Sequence, residues 1–367
     1  MIYFDNAATT FMCDAARKVL MLDYGNPSSP HAFGIEAERV VKTAAKDIAE
    51  ILSCKRDELI FTSGGTEANN LGILGVAYGL KFSGDRNRPL RILASNHEHP
   101  SVTGPLEYLQ SLPGFSVTYE SPSRFCDSIC RETDIVCVTQ VSSETGDVFE
   151  LNEIKSKFPS IVVFVDGCQS FCKIPPPLKA DIYSFSGHKI HGPMGVGGLM
   201  VRKSLRLHPM MYGGGQQTGI RPGTENVQGI LAMAAAAKAA NFNSGNNFKV
   251  ERIKKTLMEL TNEMPDVYVN ETSEKVSPYI LNMSFINVNG ETLTNMLSAK
   301  GICVSMGTAC RSVKKENALE GLGISRDRAV SAIRFSFSYM NTEEEAVKAK
   351  TVVRECVEEL RKIHRRS

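Results

Sequence analysis

Strand-like and helix-like segments alternate regularly over the first two thirds of this chain. The strand-like runs are short, apolar or β-branched, and bounded by Gly, Pro or polar residues: ELIFTS, RILAS, DIVCVTQV, IVVFVD, ADIYSFS and GGLMV. One helix-like stretch places its apolar residues at helical spacing: Ala37, Val41, Ala44, Ile48, Ile51 and Leu52. This alternation predicts an α/β fold with a mainly parallel sheet that is covered by helices on both faces.

The chain has 367 residues, and single cores seldom grow beyond about 250–300 residues, so we expect two domains. The polar stretch NFNSGNNFK at 241–249 marks a boundary, and the runs YILNMSFINV and AIRFSFSYM after it predict a separate, smaller sheet. Thr342 and Glu345 form a capping-box pattern that opens a last helix. We therefore predict a large domain over 15–245 and a smaller α+β domain formed by 1–14 and 246–367.

Charge and cysteine content exclude several classes of protein. Lysine and arginine total 42 against 40 acidic residues, whereas a nucleic-acid-binding protein carries a strong basic excess. The longest apolar run, ILAMAAAA, is too short to span a bilayer, and MIYFDNAATT lacks the pattern of a signal peptide. Ten cysteines without a CxxC pair favour a reducing compartment. We expect a cytoplasmic protein with no membrane and no nucleic-acid partner.

Two titratable residues stand at the ends of predicted core strands, where ligands of parallel sheets bind. Lys189 follows ADIYSFS in the glycine-rich loop SGHKIHGPMGVGG. It is either an ordinary loop lysine or a partly desolvated amine that forms a Schiff base with an aldehyde. Asp166 ends IVVFVD, where a carboxylate is costly unless it is paired or caps a helix. Together they suggest a pyridoxal phosphate site, in which an aspartate keeps the ring nitrogen protonated.

Such a site also requires a phosphate-binding turn, and TSGGTEANN supplies a candidate. Gly64 and Gly65 permit close backbone approach, Thr66 offers a hydroxyl, and the helix that follows presents N–H groups to an anion. Taken alone, this turn is equally consistent with a simple helix cap. Ser186 and His188 are candidates to complete the cradle.

A series of motifs runs in order along nearly the whole chain: YFDNAATT, GNPSSPH, TSGGTEANN, EHPSV, VDGCQS, SFSGHKIHGPMGVG, GGGQQTGIRPGTENV, LNMSF and GTACRS. In these motifs the chain resembles the cysteine desulfurases of the class V aminotransferase-like enzymes. The resemblance implies the fold-type I architecture of pyridoxal phosphate-dependent transferases, with pyridoxal 5'-phosphate as the cofactor.

The resemblance also implies how the cofactor ring is held. Lys189 corresponds to the lysine that carries the cofactor, and Asp166 to the partner of the ring nitrogen. His99, in EHPSV, corresponds to the histidine that stacks on the ring face and shares in catalysis. Gln169 corresponds to the residue that hydrogen-bonds the phenolic oxygen.

The phosphate ligands follow in the same way. Gly65, Thr66, Ser186 and His188 correspond to residues around the phosphate group. Thr224, in RPGTEN, corresponds to a threonine that reaches the phosphate of a neighbouring subunit, which implies a homodimer with shared sites.

The substrate side shows one departure from the family. The family reads Asn-Asn-Glu-Thr-Gly where this chain reads SSETG, so Ser143 replaces an asparagine that contacts the cofactor and the substrate carboxylate. Serine is shorter and has one donor, so that contact is lost or is mediated by water. Arg334 resembles the arginine that binds the substrate carboxylate, the alternative being a solvated arginine. Asn26 is a further candidate for the pocket wall, and a turn role is its alternative.

The proposed nucleophile is a thiol in the stretch GTACRSVKKENALEGLG. Cys310 lies near Arg311, Lys314 and Lys315, and positive neighbours favour the reactive thiolate. A loop suits a sulfur that visits the active site and then an acceptor. The family resemblance implies that Cys310 is the catalytic cysteine.

The implied activity is conversion of L-cysteine to L-alanine, with the sulfur held on Cys310 as a persulfide. An acceptor protein would then take the sulfur, either an iron–sulfur cluster scaffold or a sulfur carrier for thiolation. A selenocysteine lyase or an aminotransferase on the same fold is the alternative. A metal-binding scaffold is a rival of another class, but the cysteines show no four-ligand spacing.

Overall fold

The computed structural model describes residues 1–83, 88–240, 245–307 and 318–364. As far as they are described, the residues divide into two compact units. Unit 1 consists of Met1–Thr10, Val141–Val148 and Phe242–Ser367, and unit 2 consists of Phe11–Gln140 and Phe149–Asn241. This division differs from the sequence-based one at 11–14, which belongs to unit 2, and at 141–148, which belongs to unit 1. The segment 141–148 pairs with the rest of unit 1 through an antiparallel bridge between Asp147 and Val276.

The strands are numbered in chain order. They are β1 (Ile2–Tyr3), β2 (Leu59–Thr62), β3 (Leu90–Ser95), β4 (Phe115–Glu120), β5 (Ile135–Thr139), β6 (Val162–Asp166), β7 (Ile182–Ser186), β8 (Gly197–Val201), β9 (Val267–Val269), β10 (Ile280–Phe285), β11 (Ile302–Cys303), β12 (Ser305–Met306) and β13 (Ala332–Ser336).

The α-helices are numbered in the same way. They are α1 (Asp14–Leu20), α2 (Ala32–Leu52), α3 (Gly65–Phe82), α4 (Pro100–Gln110), α5 (Pro122–Ser128), α6 (Asn152–Lys157), α7 (Val227–Ala240), α8 (Asn246–Met258), α9 (Leu260–Glu263), α10 (Gly290–Ala299), α11 (Ala318–Gly321), α12 (Arg326–Val330) and α13 (Glu343–His364). Short 3-10 helices occur at Arg56–Glu58, Gly187–Lys189 and Gln216–Gly219.

Unit 2 is built on a seven-stranded sheet with the strand order β2-β8-β7-β6-β5-β3-β4. Strand β8 is antiparallel to both of its neighbours, and the other neighbouring pairs are parallel. Strands β5, β6, β7 and β8 are buried at every position, as expected for a sheet covered on both faces. The predicted α/β fold with a mainly parallel sheet is confirmed.

The parallel strands bring their carboxyl ends to one edge of this sheet. Strand β6 ends at Asp166, which is paired with Ser184 of β7 and Thr139 of β5. Lys189 follows β7 by three residues, in the 3-10 helix. Residues that are distant in sequence therefore meet at this edge, because each parallel strand delivers its last residue to the same side.

Helix α2 buries the apolar positions that the sequence pattern predicts for it. The predicted apolar stripe is buried at Ala37, Val41, Ala44, Ile48 and Leu52, with Ile51 half-buried. The helix begins after His31, whose Nδ1 accepts a hydrogen bond from the backbone N–H of Gly34 at 3.2 Å.

Unit 1 contains an antiparallel four-stranded sheet with the order β12-β13-β10-β9, and a parallel pair of β1 with β11. The predicted strands over YILNMSFINV and AIRFSFSYM are confirmed as β10 and β13. The predicted capping box is also confirmed, because Thr342 N donates to Glu345 Oε2 at 3.1 Å and Glu345 N donates to Thr342 Oγ1 at 3.2 Å. One apolar cluster joins this sheet to α8, α10 and α13.

None of the helices in the described parts of the chain is both long enough and apolar enough to cross a membrane.

Candidate active site

Both carboxylate oxygens of Asp166 receive hydrogen bonds at the end of β6. Asn69 Nδ2, on α3, donates to Oδ2 at 2.9 Å, and the backbone N–H of Cys168 donates to Oδ1 at 2.9 Å. Ser184 Oγ lies 3.5 Å from Oδ1. Asp166 is only 4% exposed, and these donors offset the free-energy cost of burying a carboxylate.

A chain of hydrogen bonds connects this carboxylate to His99. Asn69 donates its second N–H to Ser101 Oγ at 2.8 Å, and Ser101 Oγ lies 2.8 Å from His99 Nδ1. His99 is the N-cap of α4, and its Nδ1 also accepts from the backbone N–H of Ser101 at 3.1 Å. Two residues that the sequence analysis did not select, Asn69 and Ser101, therefore link His99 to Asp166.

Lys189 is half-buried and lies inside a turn, residues 187–192, that is packed backbone against backbone. The N–H of Gly192 donates to the carbonyl of Gly187 at 2.9 Å. A Cβ on Gly187 would lie 2.9 Å from Val196 Cγ1 and 3.0 Å from the carbonyl oxygen of Pro193. The glycines of this loop thus permit close packing behind the lysine.

The residues predicted to bind a phosphate belong to the start of α3 and the end of β7. Helix α3 begins at Gly65, where a Cβ would lie 2.5 Å from Cys168 Sγ, so a larger residue would displace that thiol. Thr66 follows on the exposed first turn. Ser186 is 2% exposed, and its Oγ has no hydrogen-bond partner within the described residues. A buried hydroxyl of this kind is suited to bind a ligand atom.

A second lysine, Lys173, is buried close to these residues and was missed by the sequence analysis. Its Nζ donates to Gln169 Oε1 at 3.3 Å. Burial, and next the charge of Lys189, lowers the pKa of Lys173 to about 7. Burial followed by the charges of the two lysines also lowers the pKa of His188 to about 4. The signal for Lys173 was its place between apolar residues in SFCKIP, four residues after Gln169.

In unit 1, the guanidinium of Arg334 lies among oxygen atoms. Nη1 donates to the backbone carbonyl of Ser143 at 2.9 Å and lies 3.5 Å from Glu144 Oε1. Nη2 donates to Asp5 Oδ1 at 3.4 Å, and Ser305 Oγ donates to the same oxygen at 2.7 Å. Arg334 is 9% exposed, and its Nε has no hydrogen-bond partner among the residues described. The alternative of a merely solvated arginine is therefore wrong.

Comparison with known proteins identifies the family. A model of the family described as Aminotransferase class-V matches residues 2–348. The chain belongs to the class-V aminotransferase family. The chain is also similar to the protein named cysteine desulfurase IscS of Dictyoglomus turgidum, with 34% identity over 385 residues that cover 99% of this chain and 96% of the relative.

Solved structures agree with this assignment. A NifS-like protein is 32% identical with a TM-score of 0.87, covering 98% of this chain and 99% of its own. The structure of SspA in complex with cysteine is 26% identical with a TM-score of 0.77, and the match covers 92% of this chain and 99% of the SspA chain. The predicted family and fold-type I architecture are confirmed, and this member of the family is a pyridoxal phosphate-dependent enzyme.

The residues of unit 2 fit pyridoxal phosphate. The buried hydroxyl of Ser186, for which the described parts of the chain provide no hydrogen-bond partner, would offer a donor for the phosphate beside the first turn of α3 at Gly65. Asp166 offers a fixed carboxylate for the ring nitrogen, and Lys189 an amine for the aldehyde.

The remaining predicted residues lie in turns or outside the described ranges. Thr224 is exposed and follows Gly223, whose φ of 101° favours glycine. Asn26 is exposed, and its Oδ1 accepts from the backbone N–H of Ser28 at 3.0 Å, which is a turn contact. Cys310 lies outside the described residues. Within those ranges, no group of three or more His, Cys, Asp or Glu side chains is placed to hold a metal ion.

Proposed function

We propose that this member of the class-V aminotransferase family is a cysteine desulfurase, which converts L-cysteine to L-alanine and passes the sulfur to Cys310. The observation that carries the proposal is the buried Asp166, whose two oxygens are held by Asn69 and Cys168 at the sheet edge from which Lys189 emerges. The relative named cysteine desulfurase and the solved structure of SspA with cysteine support the choice of substrate.

Four residues of unit 2 would hold the cofactor ring. Lys189 binds the aldehyde, Asp166 the ring nitrogen and Gln169 the phenolic oxygen, while His99 stacks on the ring face. Bound there, pyridoxal phosphate supplies an electron sink that stabilises negative charge at the α-carbon of the substrate. The hydrogen bond from Lys173 Nζ to Gln169 Oε1 would orient this amide with its nitrogen toward the phenolic oxygen.

The phosphate would be held by Gly65 and Thr66 at the start of α3, and by Ser186 and His188 after β7. Thr224 would reach the phosphate bound by a second copy of the chain, so the proposal includes a homodimer. The exposed position of Thr224 supports this role.

Arg334 would bind the substrate carboxylate, with Asn26 on the pocket wall and Ser143 where the family has asparagine. Hydrogen bonds to Asp5 and Ser143 restrict the guanidinium to one orientation, which favours a bidentate contact. Two carboxylates near the guanidinium also offset its charge when no substrate is bound.

The remaining steps are a proton transfer and a sulfur transfer. Lys189 would take the proton from the substrate α-carbon and return it there after the sulfur has left. The thiolate of Cys310 attacks the substrate sulfur and forms an S–S bond, while the C–S bond breaks and leaves its electron pair on carbon. That carbon takes up a proton, which gives alanine and a persulfide on Cys310 without an external oxidant. The persulfide then passes to an acceptor protein, either an iron–sulfur scaffold or a sulfur carrier.

The two predicted domains would have different roles in this reaction. The large domain, 15–245, would bind the cofactor, and the small domain, 1–14 with 246–367, would carry the cysteine loop.

The test is to incubate purified holoenzyme with L-cysteine and a thiol reductant, and to quantify alanine and sulfide. We expect equal amounts of both, and we expect Cys310→Ser to abolish them while the cofactor absorbance persists. Cys126→Ser, at an exposed cysteine of α5, is the matched control and keeps full turnover.

Other outcomes would overturn the proposal. An enzyme that catalyses transamination would keep its turnover in Cys310→Ser and would require a keto acid as amino-group acceptor. A selenocysteine lyase would release selenide from selenocysteine and no sulfide from cysteine.

A further inference from the structure

The hydrogen-bond chain from Asp166 to His99 has only one consistent set of directions. A carboxylate oxygen accepts, so the Asn69 atom that faces Asp166 must be the NH₂ group. The Asn69 carbonyl is then left to accept from the hydroxyl of Ser184. The second N–H of the same NH₂ group points to Ser101 Oγ, 2.8 Å away.

The direction continues through Ser101. Its hydroxyl oxygen accepts from Asn69, so its own proton is available to His99 Nδ1 at 2.8 Å. The backbone N–H of Ser101 can only donate, and it points to the same nitrogen at 3.1 Å. His99 Nδ1 therefore receives two donors and cannot carry a proton, which places the ring proton on Nε2.

We infer that His99 takes part in the reaction as a neutral imidazole with its ring proton on Nε2. Ser101 and Asn69 are positioning residues that keep the imidazole in this tautomer. The role of His99 in turnover rests on the proposed function. A proton on Nδ1 would point at the backbone N–H of Ser101, which can only donate. His99 therefore does not act as the base that removes the substrate α-proton. Removal of the substrate α-proton is left to Lys189.

Two other histidines supply internal references for the two neutral tautomers. His31 Nδ1 accepts from the backbone N–H of Gly34, so its proton is also on Nε2. His191 Nδ1 lies 2.7 Å from the carbonyl oxygen of Phe11, which can only accept, so its proton is on Nδ1. The same protein thus presents both forms, each determined by a backbone group.

The test is nitrogen NMR of the holoenzyme with ¹⁵N-labelled histidine, assigned with His99→Gln and His191→Gln. We expect the ring nitrogens of His99 at neutral pH to show the Nε2–H pattern of His31 and not the Nδ1–H pattern of His191. A His99 that carries its proton on Nδ1, or on both nitrogens, would overturn the inference.

Matched serine variants test the positioning role, because α4 and α5 both begin with a cap residue, proline and serine. Ser101→Ala should move the Nδ1 resonance of His99 and lower kcat about fivefold, the effect of one net hydrogen bond. Ser101→Thr keeps a hydroxyl, so its Nδ1 resonance and its kcat should both match those of the wild type. Ser123→Ala, at the exposed equivalent position of α5, should change neither.

A second variant covers the case in which Ser101→Ala does not fold. Asn69→Ala removes the donor that orients the Ser101 hydroxyl, and it should move the same resonance. An unchanged Nδ1 resonance in both variants contradicts the positioning role. The NMR measurement needs no turnover, so an Nε2–H pattern in a protein that releases no sulfide would support the tautomer and refute the proposed function.

Discussion

The side-chain amide of Asn69 lies 2.9 Å from Oδ2 of Asp166, so a residue of helix α3 orients the carboxylate that ends strand β6. The register of the sheet places Asp166 beside Ser184, and the packing of α3 over the sheet brings Asn69 to the same carboxylate. The orientation of this carboxylate is therefore a property of the packed helix and sheet together.

Asn69→Ala should weaken the affinity for pyridoxal phosphate about tenfold or more, because a hydrogen bond to a charged group contributes about 1.5–3 kcal/mol. The measurement is a titration of cofactor-free enzyme with pyridoxal phosphate, followed by absorbance. Asn96→Ala, at an exposed asparagine after β3, is the control and should leave the affinity unchanged. Equal affinities in the two variants would show that Asn69 does not position the carboxylate.

Arg334→Lys should raise KM for L-cysteine about tenfold to a hundredfold with a smaller change in kcat, because lysine cannot form the planar two-point contact with a carboxylate. Steady-state alanine production measures both constants. Arg328→Lys is the control in the same unit, since its guanidinium holds Asn270 and the carbonyl of Val269. That variant should lower the melting temperature without changing KM. A normal KM in Arg334→Lys would remove Arg334 from the substrate site.

Ser143→Asn should lower KM for L-cysteine about fivefold, because the longer amide supplies two donors and one added hydrogen bond contributes about 1 kcal/mol. The backbone carbonyl of Ser143, which accepts from Arg334, is retained in the variant. Steady-state kinetics and a melting curve together check the result. A KM that rises while the melting temperature stays constant would mean that serine is the better fit for the substrate.

Lys173→Met should stabilise the protein at acidic pH and lose this advantage at alkaline pH. Folding lowers the pKa of Lys173 from its ordinary value of 10.5 to about 7. Between these values the unfolded chain binds a proton that the folded chain does not, so the free energy of unfolding of the wild type rises with pH. Below about pH 7 the cost of the buried charge is complete, on the order of a few kcal/mol.

Urea unfolding at pH 6 and at pH 9, with saturating pyridoxal phosphate, measures this difference. Lys179→Met, at an exposed lysine, is the control and should match the wild type at both pH values. A gain in Lys173→Met that is the same at pH 6 and pH 9 would disprove titration of a buried amine.

Much of the fold followed from local pattern. The alternating runs predicted the mainly parallel sheet, and the apolar spacing predicted α2, because burial against a neighbouring layer requires these periods. The capping box at Thr342 and Glu345 needed no tertiary context, since both partners lie within one helical turn. Asp166 and Lys189 could be selected together because parallel strands end at the same edge.

Other features depended on contacts between distant segments. Arg334 is held by Asp5, 329 residues away in sequence, and the segment 141–148 joins the rest of unit 1 through the bridge between Asp147 and Val276. The burial of Lys173 likewise depends on the segments that cover it, because apolar sequence neighbours indicate a buried segment but do not show that the amine itself is buried.

The layered architecture and the residue types at the ends of the strands could be predicted from the amino-acid sequence, because they depend on hydrophobic periodicity and chain order. The pairing of each donor with its acceptor followed only from the folded chain. The chain from Asp166 through Asn69 and Ser101 to His99 joins β6, α3 and α4. Its hydrogen bonds depend on distances of about 3 Å, which only the packing of helices on a sheet can specify.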